Sequence, residues 1–391
     1  MSGADLLAQE ARRSRGALPD VQYGHTDGVI DLTWGHPDPS TFPRDEIAEA
    51  SRAVLDQWGW QALSYGAPAG AAAVRSAVAG HLSEVDADVA PQAVLITDGS
   101  TGALDLVLSL LASPGDVVFV EQPTYYIALR IFADHRLRVV GLPSDADGPD
   151  PDELARRAAA TTAAGSKAFV YLVPTYANPT GRCLPRARAA ALLAAAATGG
   201  AVVVEDDVYR DTSPDAPSSM WSIDPATVIR LGSFSKSLAP GLRVGFLTAT
   251  AELVERIAGC GVLDSGGGAN HFAAMVVGEL IRSGRFDEIV RANVPRHRSC
   301  RAALVDALDP SAFSFDEPAG GFFVWLRLPD GVASQTFVAA ARDNGVLASD
   351  GSVFFAGVPD AGYVRASFSM LDQVLLREGA TRLVRTAREL G

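Results

Sequence analysis

Ala168-Phe169-Val170-Tyr171-Leu172-Val173 runs straight into Pro174-Thr175-Tyr176-Ala177-Asn178-Pro179-Thr180-Gly181. Six apolar or aromatic residues in a row, closed by a proline and a turn-forming Asn-Pro-Thr-Gly, predict a strand buried on both faces, with polar groups clustered where it ends. Similar runs lie to either side: Ala93-Val94-Leu95-Ile96, Val117-Val118-Phe119-Val120, Val139-Val140-Gly141-Leu142, Ala201-Val202-Val203-Val204 and Val228-Ile229-Arg230-Leu231. Ala/Leu-rich segments of helical length separate them. Such alternation predicts an α/β fold: a mostly parallel sheet covered by helices on both faces. After about residue 250 the pattern changes to long helical segments, strands at 321–328 and 363–368, and a closing helix from about residue 371, which reads as a smaller α+β domain. We expect a large domain over 46–290 and a small one over 1–45 and 291–391, with the N-terminal segment packed on the rest.

The chain has 391 residues, 48% hydrophobic and 20% charged, a composition that fits a folded globular protein and argues against a disordered or fibrous one. With 33 basic and 46 acidic residues its formal charge is −13, so polyanions are repelled on average and no nucleic-acid partner is expected. Residues 1–16 (MSGADLLAQEARRSRG) lack the apolar run of a signal peptide. The most apolar stretch, 188–205, is shorter than the ~20 residues of a membrane span and is broken by Gly199-Gly200. It predicts a helix followed by a strand, with no membrane partner. The cysteines Cys183, Cys260 and Cys300 form no C-x-x-C pair and suit no disulfide framework, so a cytoplasmic location is expected. The six scattered histidines suggest no metal site, and the absence of a Gly-Lys dipeptide excludes a P-loop. Only two lysines are present, Lys167 and Lys236, so chemistry that needs an amine side chain has two candidates.

Ligands of open parallel sheets sit beyond the carboxyl ends of the strands. Those ends read Asp98-Gly99-Ser100-Thr101-Gly102, Glu121-Gln122-Pro123-Thr124-Tyr125, Pro174 to Gly181, Glu205-Asp206-Asp207-Val208-Tyr209 and Gly232-Ser233-Phe234-Ser235-Lys236. A Gly-Ser-Thr-Gly turn opening a helix offers N–H groups and hydroxyls to an anion, although it is equally the start of an ordinary capped helix. Ser233, Ser235 and Lys236, with Arg243 seven residues on, would give a dianion site beside an amine able to form an imine, which matches a phosphorylated aldehyde. Lys167 lies at the opposite end of its strand and reads as a solvated surface group.

Across nearly the whole chain these motifs, in this order, resemble those of the class I/II aminotransferases, fold type I enzymes that use pyridoxal 5′-phosphate (PLP). The resemblance implies that Lys236 carries PLP covalently and acts as the base, that Asp206 pairs with the pyridine nitrogen, and that Tyr209 and Asn178 bond the phenolic oxygen. It implies that Tyr125 stacks on the ring and that Gly99, Ser100, Thr101, Ser233, Ser235 and Arg243 hold the phosphate. Arg365, in Tyr363-Val364-Arg365-Ala366-Ser367, resembles the arginine that takes the substrate α-carboxylate, and Gly35, in Trp34-Gly35-His36-Pro37-Asp38, resembles the loop that closes over substrate. Tyr65, in Leu63-Ser64-Tyr65-Gly66, resembles the tyrosine that reaches the neighbouring subunit's phosphate, which implies a homodimer with shared active sites.

The implied function is transfer of an amino group from an α-amino acid to a 2-oxo acid. The same residues would also serve elimination, replacement, C–C bond formation or oxidation of an amino acid in specialised biosynthesis. A ligand sensor fused to a DNA-binding module is disfavoured by the acidic charge. The segment Asp264-Ser265-Gly266-Gly267-Gly268-Ala269-Asn270-His271 departs from the family, which usually has a Ser/Pro-rich turn and a glutamine there. His36 and His271 are thus candidates for substrate contact or proton transfer, against the plainer reading of solvent-facing or helix-capping histidines. Trp34 reads as a packing residue.

Overall fold

The computed structural model describes residues 28–360 and 362–391; the N-terminal stretch 1–16 discussed above lies outside them. Seven strands form the main sheet: β1 (Val94–Thr97), β2 (Val117–Val120), β3 (Arg138–Gly141), β4 (Ala168–Leu172), β5 (Ala201–Asp206), β6 (Val228–Ser233) and β7 (Gly245–Thr248). Their spatial order is β1-β7-β6-β5-β4-β2-β3. All neighbours are parallel except at β7, which runs antiparallel to both β1 and β6. The continuous apolar runs are explained by burial on both faces. In β4, Ala168, Val170 and Leu172 enter one core while Phe169 and Tyr171 enter the other.

The sequence reading does not anticipate β7. A parallel return after β6 needs a crossover of a dozen or more residues, usually a helix. The connection here, 234–244, contains only the short 3₁₀ turn Pro240–Leu242, so the chain folds straight back. That tight return brings Lys236 and Arg243 over the sheet end.

Helices α1 (Arg44–Trp58) and α2 (Ala72–Val85) precede the sheet, and α3 (Gly99–Leu111), α4 (Tyr126–Asp134), α5 (Pro151–Ala163) and α6 (Arg186–Gly199) connect its strands. The predicted helix-then-strand reading of 188–205 corresponds to α6 and β5. Beyond the sheet come α7 (Ala251–Ala258), α8 (His271–Arg282) and the long α9 (Arg285–Val305). Phe286 and Ile289 of α9 join the main core, whereas Cys300, Ala303 and Leu304 join a second one. That second core lies under a three-stranded antiparallel sheet of β8 (Phe323–Arg327), β9 (Ser349–Asp350) and β10 (Tyr363–Ser367), in the order β8-β10-β9. It is covered by α10 (Ser334–Asp343) and α11 (Gln373–Leu390). Near the N-terminus, Ile30–Asp31 pairs in parallel with Val346–Leu347, which ties the segment before α1 to this second unit.

Beneath the main sheet lies a buried ionic network. Arg230, only 1% exposed, pairs with Asp86 at 2.9 Å and Asp207 at 2.8 Å, and Arg210 bonds Asp207 at 2.6 Å. No helix among the described residues is long and apolar enough to cross a membrane.

Candidate active site

The strand ends of the main sheet, the segment 31–36 and residues of the second unit between Phe323 and Arg365 line a cavity of about 1020 Å³. Of the residues singled out in the sequence, Gly35, Ser100, Thr101, Tyr125, Asn178, Asp206, Tyr209, Ser233, Ser235, Lys236, Arg243 and Arg365 line it. Gly99 abuts it, and Tyr65 stands apart, 87% exposed at the surface.

The base of the anion cradle is built by two glycines. Gly99 opens α3 with φ +67°, and a Cβ there would meet Arg243 Nη2 at 2.8 Å, so only glycine lets the guanidinium approach the turn. A Cβ on Gly245 would lie 2.7 Å from Gly99 Cα and 2.6 Å from Gly232 O, so glycine is what lets β7 press against that turn. Ser100 and Thr101 then occupy the first turn of α3, where N–H groups are free and the helix dipole is positive. Ser233 Oγ accepts from the N–H of Ser235 at 3.1 Å, and Arg243, in left-handed backbone at φ 53°, also faces Asp98 at 3.4 Å. Three serine hydroxyls, a threonine, a helix N-terminus and an arginine thus converge on one end of the cavity.

Lys236 and Asp206 belong to the same lining. Desolvation in the cavity, followed by the positive charge of Arg365, lowers the Lys236 amine to about 8, with Asp206 opposing the shift. Its Nζ donates to Gly35 O at 2.7 Å and lies 5.7 Å from the centre of the Tyr209 ring. Asp206 ends β5. Burial, then repulsion from Asp207, lifts its carboxyl to about 6 against the pull of Tyr171 and Lys236. Tyr171 donates to its Oδ2 at 2.5 Å, while its Oδ1 is buried with no partner among the described residues. Burial raises both Tyr125 and Tyr209 well above an ordinary phenol, so both stay protonated as donors.

Arg365, on β10, spans the two units. Nη1 donates to Asn178 Oδ1 at 2.9 Å, and Nη2 to Thr33 O at 2.6 Å and Ser349 Oγ at 3.1 Å. Its guanidinium lies 4.0 Å from the centre of Phe323 and 4.9 Å from that of Phe354. Desolvation draws it down to about 10, still fully charged at neutral pH.

His36 and Trp34 also line the cavity, ring centroids 5.7 Å apart, so the tryptophan expected to serve packing has a face in the site. Burial and the nearby Lys236 hold His36 down to about 4, a neutral ring. His271 starts α8 beside Gly66, outside the lining. Lys167 is exposed and donates to Leu111 O at 2.6 Å, remote from the cavity. Sequence reasoning passed over Tyr171 and Phe354. Tyr171 is hidden inside an apolar strand, and only its hydroxyl, unusual in a fully buried run, signalled a polar partner.

These residues fit PLP. The cradle matches a phosphate dianion, the desolvated amine an aldehyde, and the orphaned Asp206 oxygen a protonated ring nitrogen. The family model for aminotransferase class I and II matches residues 27–383. An aromatic-amino-acid aminotransferase from Thermococcus litoralis is 31% identical, over 98% of this chain and 93% of its own. Among solved structures, the multiple substrate aminotransferase of Thermococcus profundus superposes with a TM-score of 0.86 at 29% identity, covering 93% of this chain and 92% of that one. The α-aminoadipate aminotransferase of Thermus thermophilus, complexed with N-(5′-phosphopyridoxyl)-L-leucine, gives 0.82 at 33% identity, with 93% of each chain covered. With its fold, its cavity and its relatives in agreement, the chain belongs to the class I and II aminotransferases, PLP-dependent enzymes that transfer an amino group from an α-amino acid to a 2-oxo acid.

Proposed function

We propose the following division of labour within that activity. Ser100, Thr101, Ser233, Ser235, Arg243 and the N-terminus at Gly99 hold the phosphate, Tyr125 covers the ring, and Tyr209 and Asn178 bond its phenolic oxygen. Lys236 is the covalent anchor and afterwards the base, and Asp206 faces the ring nitrogen. Bound there, PLP supplies an electron sink for bond-breaking at the substrate α-carbon. Lys236 Nζ, lowered to about 8, is basic enough to take the α-proton and weak enough to return it. Arg365 receives the α-carboxylate and Gly35 closes the site from above. The observation that carries this reading is the pairing, in one cavity, of a desolvated amine with a buried carboxylate oxygen that has no partner.

The relatives include an aromatic-amino-acid and an α-aminoadipate aminotransferase, and the volume of the cavity, with Ile127, Val338, Leu347 and Val353 in its lining, supports an amino acid with a long or aromatic side chain. We also assign a large domain over 46–290 and a small one from the remainder. A homodimer is supported by the exposed apolar group Trp60, Leu63, Tyr65 and Val262, with Tyr65 outside its own chain's cavity. The free cysteines Cys183, Cys260 and Cys300 are in keeping with a cytoplasmic location.

The test is a half-reaction. The holoprotein is mixed with a panel of amino acids and formation of pyridoxamine phosphate is followed; conversion is expected with aromatic or long-chain donors. Conversion restricted to small donors such as alanine would overturn the substrate class.

A further inference from the structure

Tyr171 lies in β4, fully buried, and does not line the cavity. A phenol that deep in an apolar core is costly unless its hydroxyl finds a partner. The partner is supplied by strand register. Tyr171 sits opposite Val204 of β5, and Asp206, two residues further on, projects to the same face. The hydroxyl donates to Asp206 Oδ2 at 2.5 Å, and the Tyr171 ring is packed edge to face against Phe132 with centroids 5.3 Å apart. The two oxygens of Asp206 are therefore unequal. Oδ2 is taken, and Oδ1 is buried without a partner among the described residues.

Several groups bear on that carboxylate. Asp207, next in the chain, repels its charge, and Lys236 across the cavity attracts it. Tyr125 and Tyr209 are the other titratable groups that feel it. Tyr171 is the one hydrogen-bond donor to it among the described residues.

We propose that Tyr171 is a positioning residue for the coenzyme: its hydroxyl fixes the Asp206 carboxylate so that Oδ1 alone faces the ring nitrogen, and keeps that carboxylate charged. This rests on the assignment of Asp206 to the ring nitrogen, so the experiment has to separate the two ideas.

The variant Tyr171→Phe removes a single oxygen and retains the ring. Its apoprotein is titrated with PLP, and the holoprotein, loaded with coenzyme labelled with ¹⁵N in the ring, is examined by NMR. The loss of one hydrogen bond to a charged group predicts a dissociation constant roughly 10-fold or more higher. The ring ¹⁵N signal is expected to move toward the unprotonated form, with kcat lowered and the amino-acid KM little changed. Placing 3-fluorotyrosine, a stronger acid, at position 171 is expected to move the ¹⁵N signal the opposite way. Asp206→Ala is the reference. If Asp206→Ala weakens coenzyme binding while Tyr171→Phe leaves both the constant and the ¹⁵N signal at their wild-type values, the proposal is wrong. If Asp206→Ala also matches wild type, the ring-nitrogen assignment is wrong. Should Tyr171→Phe fail to fold, the fluorotyrosine protein decides, and an unchanged ¹⁵N signal there overturns the proposal.

Discussion

Nη1 of Arg365 donates to Oδ1 of Asn178 at 2.9 Å, bridging 187 positions of sequence. The group assigned to the substrate carboxylate is thus braced by one assigned to the coenzyme, and Phe323 and Phe354 pack against its guanidinium. Lysine cannot reproduce that planar fork. Arg365→Lys is expected to raise KM for amino acid and 2-oxo acid alike by roughly 10- to 150-fold, the loss of one charged hydrogen bond, with coenzyme content unchanged. Steady-state kinetics on coenzyme-saturated protein provide the check.

Lys236 is lowered to about 8 by desolvation and then by Arg365 and Arg243, with Asp206 opposing. Only the neutral amine attacks an aldehyde. Covalent uptake of PLP by the apoprotein should therefore quicken roughly tenfold per pH unit as pH rises toward 8 and level off above it. Stopped-flow absorbance over pH 6–10 measures this; a rate still climbing at pH 10 would mean the amine keeps an ordinary lysine value. Lys236→Ala should abolish turnover and borohydride trapping of the coenzyme while leaving the circular dichroism unchanged.

A Cβ at position 245 meets only backbone, Gly99 Cα at 2.7 Å and Gly232 O at 2.6 Å, and backbone cannot swing aside as a side chain can. Gly245→Ala is expected to cost about 1–3 kcal/mol of overpacking and to push the Gly99 turn out of place. Both a lower melting temperature and weaker retention of coenzyme on dialysis should follow.

Arg230 is paired with Asp86 and Asp207 at 1% exposure. Arg230→Met would leave two buried carboxylates short of a cation, a change expected to cost about 3–5 kcal/mol. A guanidinium midpoint within experimental error of wild type would contradict this.

Leu63, two residues before Tyr65, is 68% exposed, and Val262 is 77% exposed four residues before Gly266, whose carbonyl accepts from the Gly66 N–H at 3.1 Å. In the homodimer proposed above, charge introduced with Leu63→Asp and Val262→Asp together is expected to shift the protein from dimer to monomer in sedimentation velocity. Activity should fall with it, because the role proposed for Tyr65 depends on a neighbouring subunit.

Much of the fold was legible because fully buried strands leave unbroken apolar runs: 117–120 coincides with β2, and 168–173 exceeds β4 by one residue. The polar residues just beyond those runs could be read as a cavity rim because parallel strands gather their carboxyl ends on one side. What escaped was fixed by partners distant in sequence. The direction of β7 depends on a connection that lacks a helix, which four residues, Gly245–Thr248, do not announce. Tyr171 counted as one more apolar residue until strand register set it beside Asp206. Trp34 and His36 belong to a segment with no periodic pattern, so only the folded chain could show them facing the cavity.

The scarcity of lysine has a practical side. With Lys236 in the cavity and Lys167 at the surface against Leu111, protein grown on lysine ¹³C-labelled at Cε alone would give two side-chain resonances, one an internal standard in solvent and the other a direct reporter of the amine proposed as the base.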